Sequence, residues 1–135
     1  MVENDEPRWL SPEQQGVWRS WLLAVARIED YLDRDLRRFG LALAEYEIMV
    51  RLSEADDWSL RMSQLADDVH QTRSRLTHTI SRMEKEGIVS RRSAPDDRRG
   101  VLAQLTEKGH DLLVAAAPSH VAAVRRILVD VTDPK

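Results

Sequence analysis

Between Thr72 and Lys85 the chain sets small hydroxyls among basic groups at helical spacing. At 100° per residue, Leu76, Ile80 and Met83 fall within about 60° of one another and form a narrow apolar stripe. The opposite face carries Ser74, His78, Ser81 and Lys85, with Arg75 and Arg82 on one flank and Thr77 on the other. Such donors and acceptors suit a helix in a major groove, where they can meet base edges. A solvated amphipathic helix is the plainer reading of any single polar face. Four further arginines, Arg91, Arg92, Arg98 and Arg99, follow within the next fourteen residues and suit contact with phosphate or a narrow minor groove.

Elements of definite type must hold these groups. Met62, Leu65, Ala66 and Val69 mark the packing face of a short helix, and His70 and Gln71 make a turn. A longer helix begins near Thr72 and ends at Gly87, where glycine can take the left-handed conformation that closes a helix. The period then becomes alternating. Ile88 to Arg92 and Val101 to Leu105 read as paired strands, joined by Ser93 to Gly100. That connection is rich in turn formers and carries Arg98 and Arg99 at its tip. Helix, turn, helix and basic hairpin make a winged helix-turn-helix, in a mainly α chain with a small β-wing. Trp58 to Arg61 is a short extended piece able to join the wing as a third strand.

The predicted DNA-binding residues are Gln71, Thr72, Arg73, Ser74, Arg75, Thr77, His78, Ser81, Arg82, Arg91, Arg92, Arg98 and Arg99. Asp97 sits among basic residues and reads as the partner that orders Arg98 or Arg99, although a turn-forming Asp is favoured at the same place. A net charge of −3 suits a DNA binder only once it is divided. From His70 to Arg99 the charge is +4, and the remainder carries −7. Affinity for phosphate follows the local patch.

Asp97-x-Arg99, followed by Leu105-Thr106-Glu107-Lys108-Gly109, resembles the wing and exit motif of the MarR family of transcription regulators. Ser63-Gln64-Leu65-Ala66 and Ile80-x-x-Met83-Glu84-x-x-Gly87-Ile88-Val89 resemble its helix-turn-helix. The likeness covers roughly residues 12 to 131. It implies a homodimer on a pseudo-palindromic operator of double-stranded DNA, with dimerisation through the first and last helices. It also implies a small, often aromatic or anionic effector held between the DNA-binding and dimer lobes. Within the motif it points to Arg99 as the minor-groove arginine.

The remaining chain fits that plan. Residues 1–10 read as a loose polar arm. Ser11, Pro12 and Gln14 start a helix with a capping box and proline at N1. Trp18, Trp21, Leu22, Val25, Ile28, Leu32, Leu36 and Phe39 then recur at spacings of three and four, up to an end at Gly40. Trp21, Ala24, Ile28 and Tyr31 add a second apolar strip. That width is either core or a strip for the domain and another for a second subunit; Trp18, Trp21 and Tyr31 lining a ligand pocket is a third possibility. A second helix spans Ala42 to Ala55, with Leu43, Tyr46, Met49, Val50 and Leu52 as its apolar positions. Thr106 caps a helix that Pro118 is expected to kink or interrupt. Val121, Val124, Ile127, Leu128 and Val131 resume its apolar period. The expected dimerisation residues are Trp21, Ile28, Tyr31, Val121, Val124 and Leu128. Residues 11–135 thus read as one domain, with dimerisation helices at 11–40 and 106–135 around a DNA-binding lobe at 41–105. Thr132-Asp133-Pro134 resembles the cap of a further helix, which the resemblance implies for dimerisation.

Other chemistries find little support. With no cysteine there is no thiolate metal site or disulfide framework. His110 and His120 read as surface or packing residues, without a third ligand at metal-binding spacing. Asp67 and Asp68 point in different directions on a helix, so solvated charge explains them better than acid–base catalysis. No nucleophile–base pair or phosphate loop appears, and neither catalytic residues nor cofactors are expected. The chain is expected to have no run of apolar residues long enough to span a bilayer and no signal peptide, and to reside in the cytoplasm. The rival to DNA binding is a winged helix that docks only on other proteins; the +4 segment and the arginine-rich tip argue against it.

Overall fold

The computed structural model describes residues 6–133 and Lys135. The expected arm at residues 1–5 and the Pro134 of the expected terminal cap lie outside the described residues. Helix α1 spans Pro12–Arg37, and Ser11 and Gln14 close its capping box in both directions, at 3.2 and 2.9 Å. Helix α2 spans Leu43–Glu54. Its first N–H groups bond to carboxylates: Ala42 N donates to Glu45 at 3.0 Å, and Leu43 N donates to Asp33 of α1 at 3.0 Å. A 3₁₀ turn at Asp56–Trp58 leads into strand β1, Ser59–Arg61, then α3, Met62–Asp68, and α4, Arg73–Lys85. His70 takes a left-handed φ of 54° in the turn between α3 and α4.

Strands β2, Val89–Ala94, and β3, Asp97–Leu105, form the wing, and β1 joins as the expected third strand in the antiparallel order β1-β3-β2. Helix α5 runs from Glu107 to Val124 and continues through a π-helical stretch, Arg125–Val129, into a last turn α6, Asp130–Thr132. The core gathers where α1, α2, α3, α4, α5 and the sheet converge. Leu36, Ile48, Met49, Leu52, Leu65, Leu76, Ile80, Met83 and Ala116 are fully enclosed there. Ile48 and the side chains of Glu45 and Thr79 are buried where no burial was expected.

Three expectations need correction. The wing connection is the pair Pro95–Asp96, not the eight residues Ser93 to Gly100, because Ser93 and Ala94 continue β2 and Asp97 opens β3. Ser93 pairs with Val101 and Ala94 with Asp97, so Arg98, Arg99 and Gly100 are an outward bulge on β3. Pro118 does not interrupt α5. The carbonyl it leaves unpaired belongs to exposed Val114, where solvent can take the place of the missing N–H. Finally, the helix from Glu107 to Thr132 is long and apolar enough, by length and composition, to cross a membrane. Its apolar side beyond Leu113, Ala116 and Ala123 lies open in the protomer, with Val114, Val121, Leu128 and Val131 exposed.

Candidate nucleic-acid interface

Helix α4 is anchored from below and capped from within. Leu76, Ile80 and Met83 form the expected buried stripe, and Thr79 joins it, its hydroxyl donating to the Arg75 carbonyl at 3.1 Å. The Thr72 hydroxyl accepts from Arg75 N at 3.1 Å and so fixes the first turn. Gly87 takes the left-handed φ of 76° expected of it. The outward face then presents Thr72, Arg73, Ser74, Arg75, Thr77, His78, Arg82 and Lys85 to solvent. The Thr77 hydroxyl donates to the Arg73 carbonyl at 2.8 Å, which leaves its lone pairs and methyl facing outward. Arg82 reaches Glu45 of α2, Nε to Oε2 3.8 Å. Glu45 is only 5% exposed, so this contact ties the base of the recognition helix to a buried carboxylate.

Two predicted contact residues are less available. Gln71 is half-buried, and its amide oxygen is enclosed without a hydrogen-bond partner among the described residues. It faces the α3–α4 turn. Ser81 is half-buried and accepts from Arg91 at 3.2 Å.

The four wing arginines divide into bound and free. Arg91 pairs with Glu84 of α4 at 3.0 Å, and its backbone N donates to the same carboxylate at 3.1 Å. The Arg91 hydrogen bond holds the Glu84 carboxyl below its usual range. Arg92 pairs with Asp57 at 3.2 Å. Both therefore fasten the wing base to the body. Among the described residues, Arg98 and Arg99 have no ion-pair partner, and the bulge leaves both exposed.

Asp97 has a different side-chain partner from the one expected. Its Oδ1 accepts from Arg99 N at 2.9 Å, but its other oxygen lies 3.5 Å from Arg61 of β1 and pairs with neither Arg98 nor the Arg99 side chain. Arg61 also binds Asp96 at 2.7 Å. It went unnoticed in the sequence because it lies thirty-five residues from Asp96; only its position on an expected third strand hinted at the contact. Arg61, Arg73, Arg91 and Arg99 line one cleft of about 440 Å³ between α4 and the wing, with Asp97 the single acidic residue in it. Arg61 and Arg91 are already paired with Asp96, Asp97 and Glu84, so among the described residues Arg73 and Arg99 are the cations left there to meet a phosphodiester backbone.

The expected dimer residues stand open. Trp21 is 63% exposed and Val121 54%, Tyr31 and Leu128 are exposed, and Ile28 and Val124 are half-buried. Residues 12–24 of α1 are exposed throughout, so the expectation that a whole strip of α1 packs on its own domain holds only for the C-terminal part. Trp18, Trp21 and Tyr31 line none of the four best-formed cavities among the described residues. The tryptophans stand where α1 runs beyond its own core, and the Tyr31 hydroxyl accepts from Arg126 at 3.0 Å. His110 stacks on Trp58 with ring centroids 4.3 Å apart, and His120 packs on Tyr46 at 4.2 Å, both as packing residues. Among the described residues no cluster of three or more His, Asp or Glu side chains could hold a metal ion.

A recognition helix set on a buried stripe, beside a three-stranded wing with free arginines at its end, defines a winged helix-turn-helix protein. The model of the MarR family matches residues 41–101. Over 93% of the chain, the structure superposes on AbsC, a MarR family transcriptional regulator from Streptomyces coelicolor, with a TM-score of 0.89, 43% identity and 84% of that chain covered. Sco3205, a MarR family transcriptional regulator from the same organism solved in complex with DNA, is 47% identical over 94% of this chain and 80% of its own, with a TM-score of 0.90. The transcriptional regulator MhqR of Bacillus subtilis is 28% identical over 105 residues, 78% of this chain and 71% of that protein. The chain belongs to the MarR family of transcription regulators.

Proposed function

We propose that this regulator binds a pseudo-palindromic operator as a homodimer and responds to a small effector. The observation that carries the reading is the cleft between helix and wing, which Arg73 of the recognition helix and Arg99 of the wing line together. In this reading α4 enters a major groove, where Ser74, Arg75 and His78 meet base edges. Arg98 and Arg99 reach the adjacent minor groove, and Arg61, Arg73 and Arg91 flank the backbone between them. Sco3205, 47% identical, is in complex with DNA, which supports DNA as the partner. Residues 41–105 form the DNA-binding lobe, and residues 11–40 and 106–135 form the dimer lobe. The open apolar surface of Trp18, Trp21, Leu22, Val121 and Leu128 supports that assignment, because such surface is normally covered by a partner. The protein works as a binding protein rather than an enzyme, in the cytoplasm with the DNA.

Selection of bound sequences from random duplex DNA, with salt dependence measured on the winner, tests this. An inverted repeat is expected, with half-site centres about 34–36 Å apart or a multiple of that distance. Affinity should fall log-linearly with salt as condensed counterions are released. Recovery of no enriched sequence, with no salt-dependent binding to any duplex, would overturn the proposal.

A further inference from the structure

A cavity of about 600 Å³ lies between the lobes, a size that suits a small organic molecule. Leu32 of α1 and His120 of α5 form one side, α2 forms the floor, and Asp68, Val69 and His70 close the other side. Its walls are apolar at Leu32, Leu43, Val50 and Val69, with the Tyr46 and His120 rings in contact beside them. Its charge is lopsided. Glu47, Glu54 and Asp68 line it against one guanidinium, Arg51. Arg51 stands four residues after Glu47 and three before Glu54 on α2, so its one charge lies near both carboxylates without pairing closely with either. An arriving carboxylate would meet three negative groups against one positive one.

Nothing among the described residues neutralises Glu47, Glu54 or Asp68 within ion-pair distance, and Asp68 receives only the Gln64 amide, at 2.8 Å. Glu47 stands exposed at the cavity mouth, where partial desolvation and nearby Glu29 push its carboxyl above its usual range. The His120 Nδ1 is enclosed and has no hydrogen-bond partner among the described residues. Burial also holds that imidazole below its usual range, which favours the uncharged ring.

We propose that this cavity takes an amphipathic organic cation, a flat apolar body bearing a protonated amine, with the amine held between Glu47 and Asp68. This rests on the effector-responsive reading above and departs in charge from the often aromatic or anionic effector that the family resemblance implies. The cavity also has a route to the recognition helix. His70, in its left-handed turn, lines it and lies two residues before Thr72, the cap of α4. An occupant touching His70 on one side and Leu32 and His120 on the other favours one spacing of the lobes, and works only through that differential affinity.

The test uses the purified full chain at pH 7 and three probes of similar size: naphthylethylammonium, naphthylpropionate and naphthylethanol. Titration calorimetry should give the ammonium a Kd about tenfold or more below that of the carboxylate, with the alcohol between. Glu47→Gln with Asp68→Asn should cut that ratio to roughly threefold or less and leave operator affinity without probe unchanged. Should the pair fail to fold, Glu54→Gln alone is expected to lower the ratio. A carboxylate that binds as tightly as the ammonium, a ratio unmoved by these substitutions, or no saturable binding by any probe up to about 10 mM would overturn the proposal. Operator binding by the probe-free protein reports on the DNA-binding reading separately.

Discussion

Arg61 on β1 holds both carboxylates of the wing turn: Asp96 at 2.7 Å and Asp97 at 3.5 Å. The guanidinium lies directly under Gly100, where an added Cβ would stand 2.4 Å from it. One cation therefore offsets part of the two negative charges that would otherwise face DNA, and it ties the wing turn to the strand from which Arg98 and Arg99 bulge. Arg61→Ala should weaken operator binding by roughly tenfold, about 1.4 kcal/mol. Because the pair is partly exposed, folding stability should change by less than about 1 kcal/mol. Asp97→Ala should also weaken binding, although it removes a negative charge, because Arg99 N loses its acceptor. The loss should be largest on A·T-rich flanks, where a minor-groove arginine gains most. Tighter binding by Asp97→Ala at physiological salt would show that the residue merely repels DNA.

Arg75 and His78 project from α4, whereas Arg91 and Arg92 are held by Glu84 and Asp57. Arg75→Ala and His78→Ala should therefore relax sequence preference, each by about 1–3 kcal/mol of discrimination. Arg91→Ala and Arg92→Ala should lower affinity for all duplexes alike, through loss of wing anchoring and of phosphate attraction. Competition between selected and scrambled DNA separates the two. Equal losses on both DNAs for all four variants would remove the distinction.

The open strip on α1 and α5 should close in a dimer. Trp21→Glu with Val121→Glu should yield a monomer by sedimentation at micromolar concentration. Its helical circular dichroism should be retained, since neither side chain is enclosed within the protomer. A monomeric unaltered chain at the same concentration would show that this surface does not support the assembly.

Gly109, in the first turn of α5, packs on the wing base without room for a side chain. A Cβ there would lie 2.2 Å from the Ile88 carbonyl and 2.7 Å from Leu105. Gly109→Ala should cost about 3 kcal/mol in urea unfolding, since backbone must move. Gly16→Ala, on exposed helix with nothing within 4 Å, should instead add up to about 1 kcal/mol.

What depends on neighbouring residues was legible in the sequence. The Ser11–Gln14 capping box, the Leu76–Ile80–Met83 stripe, the left-handed Gly87 and the change of period at Ile88 are all set within a few residues, because dihedral preference and helical spacing act over that range. The family motif at Asp97-x-Arg99 belongs to the same local kind of information. Contacts across the fold were not legible. Arg61 with Asp96, Arg92 with Asp57 and Arg82 with Glu45 join residues about thirty-five positions apart, and charge counting could not tell a tethered arginine from a free one. The open tryptophans differ from core tryptophans only in whether α1 outruns its own domain. The acidic cavity came from α1, α2, α3 and α5 meeting at one place. The identity of each side chain was written in the sequence; which charge each would face was decided when those distant elements packed together.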